Sequence, residues 1–348
     1  MCPGGSFQLM TADILFSQLV SLCSWKKRPA LVFILIMPST PKKNAILAAI
    51  AMVCFVLFFV GGPDYYSSRS FKNFWDLGHI LFFAILTYLI LANWPERLKT
   101  TFFRQSLIAV ALAIALGSMV ELAQTASFRT TDLMDVARDT IGCLVALAFL
   151  VPAREKMSKT ARRILQTTTV ILVAMAVSPL AIAIMDEAAA RNQFPVLADF
   201  ETPFETGRWS GNADFLIDHN IHFHGKAALK VTLNTAQYSG VALKYFPGNW
   251  QGYDALQLSI YNPDPQPLRL TCRIHDHRHT LGAQRYEDRF NKAYRVAPGW
   301  NLIRIPLAQV ENAPQKRKMA LNQIQGLGIF AVSLPKSRTV FLDYIRLE

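Results

Sequence analysis

The chain contains few cysteines and few acidic residues for its 348 residues. Only Cys272 of the five cysteines lies after residue 195, so the C-terminal half cannot close an internal disulfide. Lys and Arg number 36 against 24 Asp and Glu, giving a net charge of +12. No run of basic and aromatic residues resembles a nucleic-acid surface, and neither half contains a Ser-His-Asp set, a Walker loop, a dinucleotide fingerprint or a cysteine-rich metal motif. These absences exclude nucleic acid as a partner and leave no standard catalytic motif.

Charged residues are also scarce over long stretches of the first half. A membrane-spanning helix needs roughly 20 mostly apolar residues. Five segments meet this requirement, at 44–62, 75–93, 105–125, 132–151 and 164–185. We therefore predict a bundle of five transmembrane helices over 44–185, followed by an all-β domain.

Residues 1–43 precede the first apolar segment and are predicted to form a cytoplasmic segment. Met37 is a second candidate start of the natural chain, which would make 1–36 an appended stretch. The alternative is that 7–25 forms an amphipathic helix at the membrane surface.

The positive charges of short loops predict the orientation. Basic residues concentrate at 42–43, 97–104 and 154–163, and are sparse in the alternate loops. This pattern predicts a cytoplasmic N-terminus. Five crossings then place the C-terminal domain outside the cytoplasm.

Nine polar residues lie in or beside the apolar segments, where ionisable groups are costly and are functional candidates by default. The predicted topology brings all of them to the outer side. They are Asp76, His79, Glu121, Gln124, Arg129, Asp132, Asp135, Arg138 and Asp139. We expect a shared polar pocket, although each residue alone could equally cap a helix or reach the headgroups.

These residues also form an ordered pattern. The stretches DLGHILFFAILTYLI, GSMVELAQ and RTTDLMDVARDTIGCLVA (76–90, 117–124 and 129–146) resemble the VanZ-like family of bacterial membrane proteins. Asp139 stands where that family usually has Asn. The resemblance implies a location in a bacterial inner membrane. It also implies an envelope role, since the founding member is associated with low-level resistance to the glycopeptide teicoplanin, but it implies no established reaction.

The chemistry of such a pocket stays open. His79, Glu121 and Asp135 are the candidates for acid–base catalysis on a lipid-linked substrate. The same pocket could instead bind a cation, or hold a polar lipid headgroup with Arg129 and Arg138 on its phosphate.

The C-terminal half has a different texture. Residues 186–195 are predicted to be a tether. From 196 to 348, short alternating segments separated by Gly, Pro and Asn predict an antiparallel sandwich, most typically a jelly roll. The pieces ADFE, GKAALKV, WQGYDALQLSIYN, GWNLIRIPL and VFLDYIRLE resemble galactose-binding-like sandwiches, which include carbohydrate-binding modules and the complex I intermediate-associated protein family.

Aromatic residues of this domain are candidates for stacking on sugar rings. They are Tyr238, Tyr245, Trp250, Tyr286 and Tyr294. Trp209, Trp250 and Trp300 could equally be core or turn anchors. His275, His277 and His279 alternate, so in a strand they would share one face and could ligate a metal. The resemblance further implies a structural calcium, for which Asp199, Glu201 and Asp343 are candidates.

Together these patterns predict a membrane protein that binds or handles an envelope glycan or glycolipid, with membrane lipids as its surroundings. One alternative is a membrane enzyme acting through His79 with Glu121 or Asp135. Another is a scaffold whose sandwich binds a protein that the sequence does not identify.

Overall fold

The structure is a computed structural model that describes residues 40–64, 67–94, 100–125 and 133–348. Within these ranges a helical region precedes an antiparallel β-sandwich, as predicted. Most of the predicted N-terminal segment 1–43, including Met37, lies outside the described residues. The five longest helices are α1 (Pro41–Phe59), α2 (Arg69–Ala92), α3 (Phe102–Thr125), α4 (Leu133–Val145) and α5 (Lys159–Gln193).

Four described helices, rather than the predicted five, are long and apolar enough to cross a membrane. They are α1, α2, α3 and α5. The fifth predicted span, 132–151, corresponds to the 13 residues of α4 followed by a π-helical turn at Ala146–Leu150. At 13 residues, α4 alone is too short to cross the hydrocarbon core of a bilayer, which takes roughly 20 residues of helix.

The long helices expose large apolar side chains. Val53, Phe103, Met119 and Met175 are among those that are more than half exposed. An exposed apolar surface repeated on several helices is unfavourable in water and suits contact with lipid.

The predicted tether is largely helical. Helix α5 continues through Gln193, and β1 begins at Val196. The stretch AAARNQ at 188–193 consists mostly of good helix formers, and Pro195 then stops the helix. The sandwich therefore follows a continuous helix of 35 residues.

Contacts between residues divide the chain into two compact units, and the predicted domain boundaries stay a prediction. The first comprises residues up to Val56 with His79–Thr169, and the second comprises Leu57–Gly78 with Val170–Glu348. Helices α2 and α5 each contribute residues to both units.

Within the second unit, an ion pair joins the end of α5 to the sandwich. The fully buried Arg208 donates from Nε to Asp186 Oδ1 and Oδ2 at 3.0 and 3.1 Å. Arg69 at the start of α2 donates to the same carboxylate. A buried charge needs such partners, because breaking the pair leaves the other charge uncompensated.

The sandwich has two antiparallel sheets. One has the order β3-β4-β11-β6-β9, with β1 also paired to β11, and the other has the order β2-β5-β10-β7-β8. The strands are β1 (Val196–Ala198), β2 (Trp209–Gly211), β3 (Asp214–Asp218), β4 (Ala228–Leu233), β5 (Tyr238–Leu243), β6 (Ala255–Asn262), β7 (Leu268–Asp276), β8 (Phe290–Val296), β9 (Gly299–Pro306), β10 (Ile324–Val332) and β11 (Arg338–Leu347). Two short helices, α6 (His277–Leu281) and α7 (Leu307–Glu311), follow β7 and β9. The jelly-roll version of the sandwich stays a prediction.

The core lies between the two sheets and is built by alternation along the strands. In β7, Leu270, Cys272 and Ile274 are buried, whereas Thr271 and Arg273 between them point to the opposite face. Burial raises the pKa of the Cys272 thiol to about 12, so this cysteine is an inert core residue.

Candidate functional site

A groove of about 560 Å³ lies on the outer face of the five-stranded sheet. Small residues form its floor. A Cβ atom on Gly240 would lie 2.5 Å from Phe330 Cβ, so only glycine fits there beside the neighbouring strand. Gly211, Ala242 and Gly328 line the groove as well, so much of its floor carries little or no side chain.

Aromatic side chains border this groove. Tyr238 on β5 is 56% exposed and meets the ring of Phe330 on β10 edge to face, with 5.9 Å between centroids. Tyr286, in the loop between α6 and β8, is 68% exposed. Large exposed aromatics around a concave surface are typical of ligand sites, since each offers an apolar face with a polar tip.

Two arginines complete the lining. Arg273 on β7 pairs in register with Gly328 on β10, and a Cβ atom at 328 would lie 3.4 Å from Arg273 Nε. The absence of a side chain at Gly328 thus lets the guanidinium of Arg273 lie across the sheet. Arg289 lies with Cζ 5.6 Å from the ring centroid of Tyr286.

The loop that carries Tyr286 and Arg289 is held by Arg317. Its guanidinium donates to Asp288 at 2.6 and 2.9 Å and to Asp276 at 2.5 and 2.8 Å. The hydrogen bonds from Arg317 hold the pKa of Asp288 below its usual range. Both carboxylates are therefore charged at neutral pH and fix the loop through charge-assisted bonds.

The structure brings only part of the predicted aromatic set together. Tyr238 and Tyr286 line the groove. Trp250 is fully buried and donates from Nε1 to the carbonyl oxygen of Pro247, so it is a core residue and cannot stack on a ligand. Tyr294 lies on the inner face with Phe290 and packs against the core.

Tyr245 lies elsewhere in the second unit. Its hydroxyl accepts a hydrogen bond from Lys72 Nζ at 3.2 Å, and Arg69 Cζ lies 5.3 Å from its ring centroid. These contacts make Tyr245 part of the joint between α2 and the sandwich.

The predicted alignment of three histidines on one strand face is wrong. Strand β7 ends at Asp276, and His277 and His279 belong to α6, because the Asp276 side chain caps this helix by accepting from His279 N at 3.0 Å. Burial, and then the charge of Arg273, lowers the pKa of His275 to about 3, so this ring is neutral.

The three calcium candidates bind backbone N–H groups. Asp343 accepts from Phe223 N and His224 N at 2.6 and 2.9 Å, and Glu201 accepts from Lys226 N at 2.6 Å. Asp199 Oδ1 accepts from Glu201 N at 3.3 Å, and also from the side-chain amide of Gln193 at 3.4 Å. Over the ranges that the structure describes, no group of three or more His, Cys, Asp or Glu residues could hold a metal ion.

The first unit contains a second polar cluster. His79 on α2 lies with Nδ1 2.8 Å from Asp139 Oδ1 and Nε2 3.7 Å from Asp135 Oδ2, and Arg138 binds Asp135. Glu121 is buried on α3, whose Gly117 lies against the Asp139 carboxylate. A histidine oriented by a carboxylate is the arrangement that acid–base catalysis uses.

The rest of the predicted pocket is described less fully. Asp76 lies one helical turn before His79 on α2, and Gln124 lies near the end of α3. Arg129 and Asp132 lie outside the described residues. Catalysis by His79 with Glu121 or Asp135 stays a prediction, and so does the shared pocket.

Three groove residues were missed from the sequence, namely Arg273, Arg289 and Phe330. The alternation in LRLTCRIH at 268–275 does carry a signal for the first, because it separates Leu268, Leu270, Cys272 and Ile274 from the opposite face. No comparable signal marks Arg289, since it lies in a loop.

No protein family model matches the chain, and no curated protein matches it. Among solved structures, the chain is similar to a family 11 carbohydrate-binding module from Clostridium thermocellum in complex with a β-1,3-1,4-mixed-linked tetrasaccharide, with 15% identity over 44% of this chain and 93% of that chain and a TM-score of 0.34. It is also similar to an exo-β-agarase, with 16% identity, 44% and 24% coverage and a TM-score of 0.35. A family 30 carbohydrate-binding module of a Clostridium thermocellum cellulosomal cellulase matches with 12% identity, 40% and 91% coverage and a TM-score of 0.31. The VanZ-like resemblance stays a prediction.

Proposed function

We propose that this chain is a membrane protein of the bacterial envelope whose sandwich binds a glycan in the groove of the five-stranded sheet. The observation that carries the proposal is the pair of exposed tyrosines, Tyr238 and Tyr286, bordering a floor of small residues. The C–H faces of a sugar ring pack on aromatic faces, and an open groove admits a chain of such rings.

The test is a glycan-array screen of the full-length protein in detergent, followed by calorimetric titration of each saccharide bound. Tyr238→Ala and Tyr286→Ala should each weaken binding by about 10-fold, because each removes an aromatic contact worth roughly 1–1.5 kcal/mol. Trp300→Ala is the matched control, since Trp300 packs on Phe223 and Tyr261 away from the groove, with centroids 5.3 and 5.2 Å apart.

The outcomes separate the possible sites. Loss of binding in Trp300→Ala with native binding in both tyrosine variants would move the site to the other sheet. A folded protein that binds no saccharide would refute the proposal and favour the scaffold hypothesis.

We further propose that the N-terminus is cytoplasmic and that the sandwich lies outside the cytoplasm. This orientation requires α4 and its π-helical turn to cross together with the four apolar helices. Their 13 and five residues span about 27 Å at ~1.5 Å per residue, close to the ~30 Å hydrocarbon core. An alkaline phosphatase fusion after Glu348 that stays inactive in cells would contradict the orientation.

A further inference from the structure

A basic recess of about 350 Å³ adjoins the glycan groove. Lys244, Arg273, His275, His279 and Arg289 line it. Arg273 and Arg289 line the groove as well, so the two spaces meet at these two guanidinium groups. A group that binds both guanidinium groups would therefore lie at the border of the two spaces.

The positive charges of Arg273 and Arg289 repel each other. Burial, and then the charge of Arg273, lowers the pKa of Arg289. Nε of Arg273 and Nε of Arg289 are both buried without a hydrogen-bond partner among the described residues. Two partly buried like charges with unsatisfied donors raise the free energy of the empty site.

The charge of Arg273 and Arg289 is not offset by an acidic residue in the described lining of the site. None of the described residues that line the groove or the recess is Asp or Glu. The nearby carboxylate of Asp288 binds Arg317, and its Oδ2 lies 3.3 Å from His279 Nδ1 as an acceptor; Asp276 also binds Arg317. The neighbouring acids are thus committed to holding the loop.

We propose that the saccharide bound in the groove is anionic, and that its carboxylate or sulfate group binds Arg273 and Arg289 where groove and recess meet. This inference rests on the proposed glycan function and names the class of glycan. A guanidinium presents a planar fork of donors that matches an oxyanion with two parallel hydrogen bonds. The bound anion supplies the charge that the site lacks, while Tyr238 and Tyr286 contact the sugar rings.

The experiment compares charged saccharides with their neutral counterparts on the full-length protein in detergent. Oligogalacturonate is paired with its methyl ester, and a sulfated galactan oligosaccharide with its desulfated form, which separates carboxylate from sulfate. In one pair or both, the anionic form should bind about 10- to 100-fold more tightly, as expected for charge-assisted bonds. The preference should shrink as salt is raised.

Arginine variants assign that preference to the site. Arg273→Gln and Arg289→Gln should abolish it, and Arg289→Lys should retain only part, because lysine keeps the charge but not the fork. Arg295→Gln is the matched control, since Arg295 is exposed on β8 and does not line either space. Melting curves in detergent confirm that the variants fold.

Each outcome decides one statement. Equal binding of charged and neutral members of both pairs, with native affinity in both glutamine variants, would overturn the anionic inference and leave glycan binding standing. A single-stranded oligonucleotide that binds more tightly than every saccharide would also overturn it. No saccharide binding at all would refute the inference together with the proposed function.

Discussion

Glu205 gives the sandwich a pH-dependent stability that one substitution should remove. Its side chain is fully buried; Oε1 accepts from Asp199 N at 2.9 Å, and Oε2 has no hydrogen-bond partner among the described residues. Arg208 Nη1 is 3.7 Å from Oε1, and the same guanidinium binds Asp186 through Nη2 at 2.9 Å. Burial raises the pKa of Glu205 from 4.5 to about 7, although the charge of Arg208 opposes the rise.

The direction of the pH effect follows from proton binding. Because the native state holds the Glu205 proton more tightly than the unfolded chain, the free energy of unfolding falls as pH rises from about 4.5 to about 7 and is then constant. Each pH unit in this window is worth about 1.4 kcal/mol. The carboxylate of Glu205 therefore lowers stability by about 3 kcal/mol at pH 8 relative to pH 4.

Glu205→Gln keeps an oxygen to accept from Asp199 N and removes the titration. The free energy of unfolding of the variant minus that of the native chain should grow by about 2–3 kcal/mol from pH 5 to pH 8. Losing the contact with Arg208 changes the free energy of unfolding of the variant by a constant amount above pH 7. The diagnostic quantity is therefore the slope of the free energy of unfolding against pH between 4.5 and 7. The measurement is urea unfolding of the full-length protein in detergent, followed by fluorescence of the buried Trp209 and Trp250.

Glu311→Gln is the control, because it removes a carboxylate that pairs with Lys318 on the surface without changing the Glu205 cluster. Its profile should follow that of the native chain. Parallel pH profiles for the native chain and Glu205→Gln would refute the reasoning, and so would a native profile that rises more steeply than that of the variant.

The remaining predictions concern the helices. Gly142→Ala should destabilise the first unit by about 1–3 kcal/mol, because the new Cβ would lie 2.5 Å from the carbonyl oxygen of Ile80 and 3.0 Å from Phe83 Cβ. Gly78→Ala is the control: a Cβ atom there meets nothing within 4 Å, so this variant should be neutral or stabilising. Melting in detergent checks both, and equal effects would contradict close packing of α2 on α4. A reporter that is active only in the cytoplasm should be active when fused after Arg154, and one that is active only outside the cytoplasm should be active after Glu348. The reverse result would refute the proposed orientation.

Hydropathy and alternation were enough to predict the succession of elements. The apolar segment 105–125 corresponds to α3 at Phe102–Thr125, and the alternating stretch 253–262 contains β6 at Ala255–Asn262. Both patterns are local, because each depends on which residues one face of a helix or strand must bury.

The site was harder to predict because it depends on which sheet face each side chain joins. Tyr238 and Tyr294 are both aromatic residues on strands, yet the former lies on the outer face and the latter on the inner. Trp250 is buried by packing between the sheets, which its neighbours in sequence do not indicate. The clamp by Arg317 joins residues 29 and 41 positions apart, a distance that no local pattern reports.

The continuous helix α5 and its buried ion pair have a mechanical consequence. Asp186 on α5 binds Arg208 of the sandwich and Arg69 of α2, so bending at this joint would have to break a buried ion pair. A force on a long polymer bound at the sheet would be transmitted to α5, because no flexible linker separates the sandwich from this helix. The Asp186–Arg208 ion pair would then be the first contact to bear this force.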